Sequence, residues 1–155
     1  MLNKKNPWIG IGCLAALVSL AAQVSAEEPS SMAGVLSVQV RNIQSDEGQI
    51  GCSLYSKSDG FPSDSEKADR RMFVQHAGGK ATCTFKGVKA GTYAVSVMHD
   101  EDKNAKLKTS IVGRPQEWWG VSNDAPPERF GPPKYEKATF KFDGGSEAIK
   151  VKLRL

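Results

Sequence analysis

From Ile149 to Leu155 the chain alternates without a break. Ile149, Val151, Leu153 and Leu155 are apolar, and Lys150, Lys152 and Arg154 between them are cationic. A period of two puts each set on its own face of an extended strand, so the segment reads as a half-buried β-strand with a solvated basic face. Charges on that face also discourage edge-to-edge pairing with other molecules. The pattern recurs upstream. Leu36, Val38 and Val40 share a face within 34–42, and Ile50, Cys52 and Leu54 share one within 48–56. Ala81, Cys83 and Phe85 do so within 80–85, and Tyr93, Val95 and Val97 within 92–98. Residues 71–76 and 137–143 add two further strand candidates.

Turn chemistry separates these runs, at Ser45-Asp46-Glu47-Gly48, Gly78-Gly79, Lys89-Ala90-Gly91 and Gly144-Gly145. One short helical turn is expected over 63–69, where Ser63 or Asp64 can cap it with Glu66 nearby. About seven closely spaced strands, with no strand-helix alternation, predict an all-β fold. The expected architecture is an antiparallel β-sandwich, immunoglobulin-like or transthyretin-like; a small barrel is the alternative. Segments 34–42 and 48–56 are expected to pair as a hairpin.

The first residues read differently. Lys4 and Lys5 precede an apolar run from Trp8 through Ala22, and Val24-Ser25-Ala26 leads into the polar Glu27-Glu28-Pro29. That order is the mark of a secretory signal peptide, here 1–26, with a short linker at 27–33 and the sandwich domain at 34–155. The apolar run is shorter than the ~20 residues a bilayer requires, so no transmembrane segment is expected in the mature chain. Cys13 lies within the apolar run and not after it, which does not suit a lipoprotein site. Cleavage after Ala26 removes Lys4 and Lys5 and no acid, so the net charge falls from +4 to +2. So mild a balance is no nucleic-acid footprint. The expected location is exported, periplasmic or extracellular. In that oxidising setting the two remaining cysteines, Cys52 and Cys83, read as a disulfide stabilising the fold by about 3–4 kcal/mol. With His76 and His99 as the only histidines, the chain has too few ligands in a suitable pattern for zinc.

Residues 99–136 break the rhythm as one long irregular loop, rich in Pro, Gly and Asn. Long loops in compact domains are commonly functional, and Trp118, Trp119 and Phe130 argue against disorder. Trp118 and Trp119 offer a stacking platform for a glycan or an envelope protein. They can equally fold back over a sheet edge or the end of the core.

Several motifs resemble a bacterial family of exported proteins, domain of unknown function 2141. They are Ser45 through Cys52, Asp59-Gly60-Phe61-Pro62, Gly91 through Asp102 and Gly120 through Asp124, followed by Gly131-Pro132-Pro133, Ala138 and Phe140. The likeness spans nearly the whole mature chain. It implies an exported β-sandwich with no established activity.

The segment His99 to Lys108 carries the most chemistry. Asp100, Asp102 and Asn104 have the one-three-five spacing of a calcium loop, with the Lys106 carbonyl as a further oxygen. The resembled family typically reads Asp-x-Asn-x-Asn-Gly-x-Leu-Asp there. Here Ala105 stands in place of the glycine, Lys108 in place of the last aspartate, and Ile111 occupies the twelfth position. Without calcium the same residues make an Asx turn. His99 beside Asp100 permits an acid–base reading, which needs a nucleophile such as Ser96 or Ser122. A histidine ending a strand also serves as a structural hydrogen-bonding group. The leading expectation is a non-enzymatic binding or envelope-associated module using 99–136, with Trp118, Trp119 and His99 as ligand-binding residues and no catalytic residue assigned. A hydrolase-like enzyme using His99 and Asp100, and a calcium-stabilised structural module, are the alternatives. No cofactor is expected, with calcium as the one candidate.

Overall fold

The computed structural model describes residues 33–155. The expected signal peptide, 1–26, and nearly all of the expected linker, 27–33, lie outside the described residues. Eight strands form: β1 (Ala33–Arg41), β2 (Gln49–Tyr55), β3 (Arg70–Val74), β4 (Lys80–Lys89), β5 (Gly91–Asp100), β6 (Trp119–Val121), β7 (Phe140–Phe142) and β8 (Ser146–Lys152). A 3-10 turn covers Ser65–Lys67, capped by Asp64 as expected, and Tyr135–Ala138 makes a single helical turn, α1. β6, within 99–136, is the strand the alternation does not reveal, because three residues are too few to establish a period.

The strands stack as two sheets. One has the order β4-β1-β8; the other runs β3-β2-β5-β6, with β7 pairing the first residues of β5. The all-β sandwich is therefore present. Its pairings are antiparallel except for β1 with β8, which run parallel from Val35↔Ser146 to Arg41↔Lys152. β8 is a sheet edge, and its lysines are exposed.

The expected hairpin of 34–42 with 48–56 does not form. β1 pairs with β4 and β8, whereas β2 pairs with β3 and β5. The segment between them crosses from one sheet to the other, turning at Asn42 in the left-handed region (φ 66°) and burying Ile43. The β3–β4, β4–β5 and β7–β8 connections also cross. Turn residues mark a reversal of direction, and reversal within a sheet and reversal between sheets look alike locally.

The core fills the space between the layers. Leu36, Val38 and Val40 meet Ile50, Leu54, Val95, Val97, Phe85 and Leu153, all nearly or fully buried. Cys52 on β2 and Cys83 on β4 are bonded across this core, joining the sheets with Cα atoms 6.5 Å apart. Such a bond fits an oxidising compartment. No helix among the described residues is long and apolar enough to cross a membrane.

β2 is buried on both faces. At Tyr55 its outer side is covered by Phe61, whose ring meets Tyr55 and Tyr135 edge-on at 5.4 and 5.6 Å. A second apolar cluster of Ala94, Val121, Ala125 and Ala138 joins Phe61, Trp119 and Tyr135 there. Much of the long segment thus lies over the outer face of the larger sheet. Burial holds the Tyr55 phenol above its ordinary pKa, with Ser96 and Ser53 acting the other way. A raised folded pKa means stability that is present below the unfolded value of about 10 and is lost as pH rises through the folded one. Unfolding followed from pH 9 to 12 is expected to show this alkaline loss, and Tyr55→Phe should flatten it. An unchanged slope in that variant would remove Tyr55 as the cause.

Candidate functional site

β5 carries His99 and Asp100 at its end, and neighbours on a strand point to opposite faces. His99 points inward and is fully buried. Its Nε2 lies 2.8 Å from the Glu47 carbonyl, which His76 Nε2 also approaches, at 3.0 Å. The two rings meet edge-on at 5.0 Å. Together they hold the connection between β1 and β2 against β5. The other ring nitrogen of His99 has no hydrogen-bond partner and lies 3.8 Å from Glu101 Oε1.

Asp100, on the opposite face, is also fully buried. Its carboxylate accepts from Gln49 Nε2 (2.8 Å), Asn104 N (2.9 Å) and Ala105 N (3.0 Å). His99 and Asp100 therefore have separate hydrogen-bond partners and are not bonded to each other. Ser96, three residues before His99, faces away from it. Ser122 is buried, accepting from Val95 N at 2.9 Å and donating to the Ala138 carbonyl at 2.6 Å. That hydroxyl supplies the acceptor Val95 lacks between β7 and β6. Two shallow surface grooves, one beside Gly91, Lys141 and Glu147 and one beside Gln75, His76 and Thr82, include none of His99, Asp100, Trp118 or Trp119.

The turn after β5 is a run of Asx contacts. Asp102 accepts from the backbone and side chain of Asn104, and Asn104 Oδ1 accepts from Lys106 N at 2.7 Å. Ala105 adopts φ 62° at the position where the resembled pattern has glycine. A residue the local spacing does not reveal completes the arrangement. Glu117 is buried, and Asp100, Asp102 and Glu117 each place an oxygen within 4.8 Å of the others. Glu117 accepts from Glu101 N (3.2 Å) and Lys108 N (2.7 Å), so it ties both ends of the intervening segment. Its one sequence signal is position: it ends the acid-free run 103–116. Hard oxygens in such a group suit a calcium ion.

Between Lys108 and Glu117 the chain makes a finger. Gln116 N donates to the Lys108 carbonyl, Ser110 N to the Arg114 carbonyl and Gly113 N to the Ser110 carbonyl, each at 2.8 Å. Thr109 pairs with Pro115, and Gly113 takes φ 77°, the left-handed residue that a three-residue hairpin loop requires. Ile111 and Val112 form the tip, with relative exposures of 107% and 79%.

Trp118 and Trp119 do not share a platform. Trp118 is half-buried against the main core, and Trp119 packs on the outer cluster. The Arg154 guanidinium lies 5.6 Å from the Trp119 ring centre, and the two backbones exchange hydrogen bonds of 2.8 and 2.9 Å. Trp118 immediately precedes β6 and Trp119 begins it, and the two rings pack into different apolar clusters.

A family model described as an uncharacterized protein conserved in bacteria, DUF2141, matches residues 38–150. No curated protein and no solved structure matches the chain.

Proposed function

Since the chain belongs to DUF2141, an uncharacterised bacterial family, we propose from its own geometry that it is an exported, non-enzymatic binding module of the cell envelope that meets its partner through the 99–136 segment. One observation carries this reading. Among the described residues the large exposed hydrophobics are Ile111, Val112, Phe130 and the C-terminal Leu155, so three of the four fall in this segment. Elsewhere in the segment, Trp118, Trp119 and Tyr135 pack against the domain. Large apolar side chains left in water and concentrated in one segment support a contact role for that segment. A glycan, an envelope protein or another surface component can occupy it. The test uses the mature domain against immobilised glycans and envelope extract. An Ile111→Ser, Val112→Ser, Phe130→Ala variant is expected to reduce capture roughly tenfold while leaving the fold intact, because these side chains contribute little to the core. Equal capture by both proteins would sink the reading. Trp118→Ala and Trp119→Ala are poorer probes, since each also opens packing.

A second reading is favoured by the convergence of Glu117 with Asp100 and Asp102: calcium stiffens the base of the segment. Among the described residues no lysine or arginine pairs with these carboxylates, so their mutual repulsion is relieved by no protein cation. Asn104 and the Lys106 carbonyl would add neutral oxygens. Calcium at a hundredfold excess over Kd is expected to raise Tm by about 10 °C, from ~2.7 kcal/mol of linkage. Asp102→Asn should abolish that rise. Constant Tm up to millimolar calcium would dispose of the site.

A further inference from the structure

The finger and the turn leading into it have a composition unlike the rest of the domain. Residues 103–116 hold Lys103, Lys106, Lys108 and Arg114 and no acid, against a net +2 for the whole chain after residue 26. All four cationic residues are exposed. At the tip, Ile111 and Val112 occupy loop positions that ordinarily go to Gly, Asn, Asp or Ser. Nothing in the fold requires β-branched apolar residues there, since they cover no part of the described domain. The base is held firmly, by the Glu117 bonds to the backbone of Glu101 and Lys108 and by the paired Lys108–Gln116 backbone.

An exposed apolar tip on a segment whose charged side chains are all cationic matches one partner chemistry closely. We propose that this finger docks the domain on a bilayer bearing anionic headgroups, with Ile111 and Val112 entering the headgroup–acyl boundary and the four basic side chains contacting lipid phosphates. Burying apolar side chains supplies one part of such binding and cationic contact the other. The inference rests on the binding-module reading and names its partner.

The test is sedimentation of the mature protein with vesicles of phosphatidylglycerol and phosphatidylcholine, beside vesicles of phosphatidylcholine alone. Partition onto the anionic vesicles is expected, falling with added salt because the headgroup attraction is screened. Ile111→Ser with Val112→Ser should weaken it about thirtyfold, and Lys106→Gln or Lys108→Gln about fivefold each. Unchanged melting temperatures would confirm that these variants fold. Absence of partition, or partition indifferent to the tip variant, overturns the lipid proposal. If vesicles fail while the tip variant still loses capture of a glycan or envelope protein, or loses self-association, the lipid proposal falls and the binding-module reading stands. If the tip variant changes none of these, both fall.

Discussion

Replacing Cys52 and Cys83 together by alanine is expected to lower stability by about 3–4 kcal/mol and Tm by roughly 12–15 °C. The bond spans a sequence separation of 31 and joins β2 to β4, which belong to different sheets. Without it the two layers are held by side-chain packing and by the connections that cross between them. In the chain-entropy account most of the loss arises in the unfolded state, which regains the freedom of the closed loop. Both cysteines are fully buried in the core. Reductant should therefore act slowly on the folded protein and quickly once it opens. Equilibrium unfolding of the double variant, and of the parent with and without reductant, measures this. A loss below about 1 kcal/mol would show that packing alone keeps the layers together.

Gly48→Ala is expected to cost about 3–4 kcal/mol, a Tm loss of similar size to the disulfide's. Gly48 has φ 80°, and a β-carbon on it would stand 2.3 Å from the Asp100 carbonyl oxygen and 2.5 Å from Glu101 Cα. Both are backbone atoms, so no rotamer change relieves the contact. β2 and the end of β5 must separate where Gln49 pairs with Asp100. That movement strains the Gln49 bond to the Asp100 carboxylate and the His99 approach to the Glu47 carbonyl. Gly78→Ala is the matching control. Its φ is 57°, yet an added β-carbon there meets nothing within 4 Å. It bears only the left-handed conformational cost of about 1–2 kcal/mol. Thermal melts of the two variants compare the effects. Melting within a degree or two of each other would mean that the crowding against Asp100 is absorbed cheaply.

These expectations trace how far the chain can be read locally. The alternation of Ile149 through Leu155, and that around Ile50 and Val95, identified strands because one face of each must leave water. The same rule placed Cys52 and Cys83 on inward faces, where they meet. Adjacency in sequence suggested a pairing of His99 with Asp100, whereas in the structure each is buried with its own separate hydrogen-bond partners. The spacing of Asp100, Asp102 and Asn104 likewise announced the Asx-rich turn, since each of its hydrogen bonds spans only a few residues.

What lay beyond local reading was every decision about which strand sits beside which. The hairpin expected for β1 and β2 failed because turn residues specify a reversal and not the sheet in which the chain continues. The parallel partnership of β1 with β8, the return of Glu117 to Asp100 and the division of Trp118 from Trp119 between two apolar clusters all depend on distant contacts. Periodicity is a property of one strand and its exposure to water, so the residues alone determined an exported-looking, all-β chain with inward cysteines. Sheet order, the carboxylate grouping and the bare tip at Ile111 and Val112 arise from closure of distant segments on one another, and only the tertiary structure decided them.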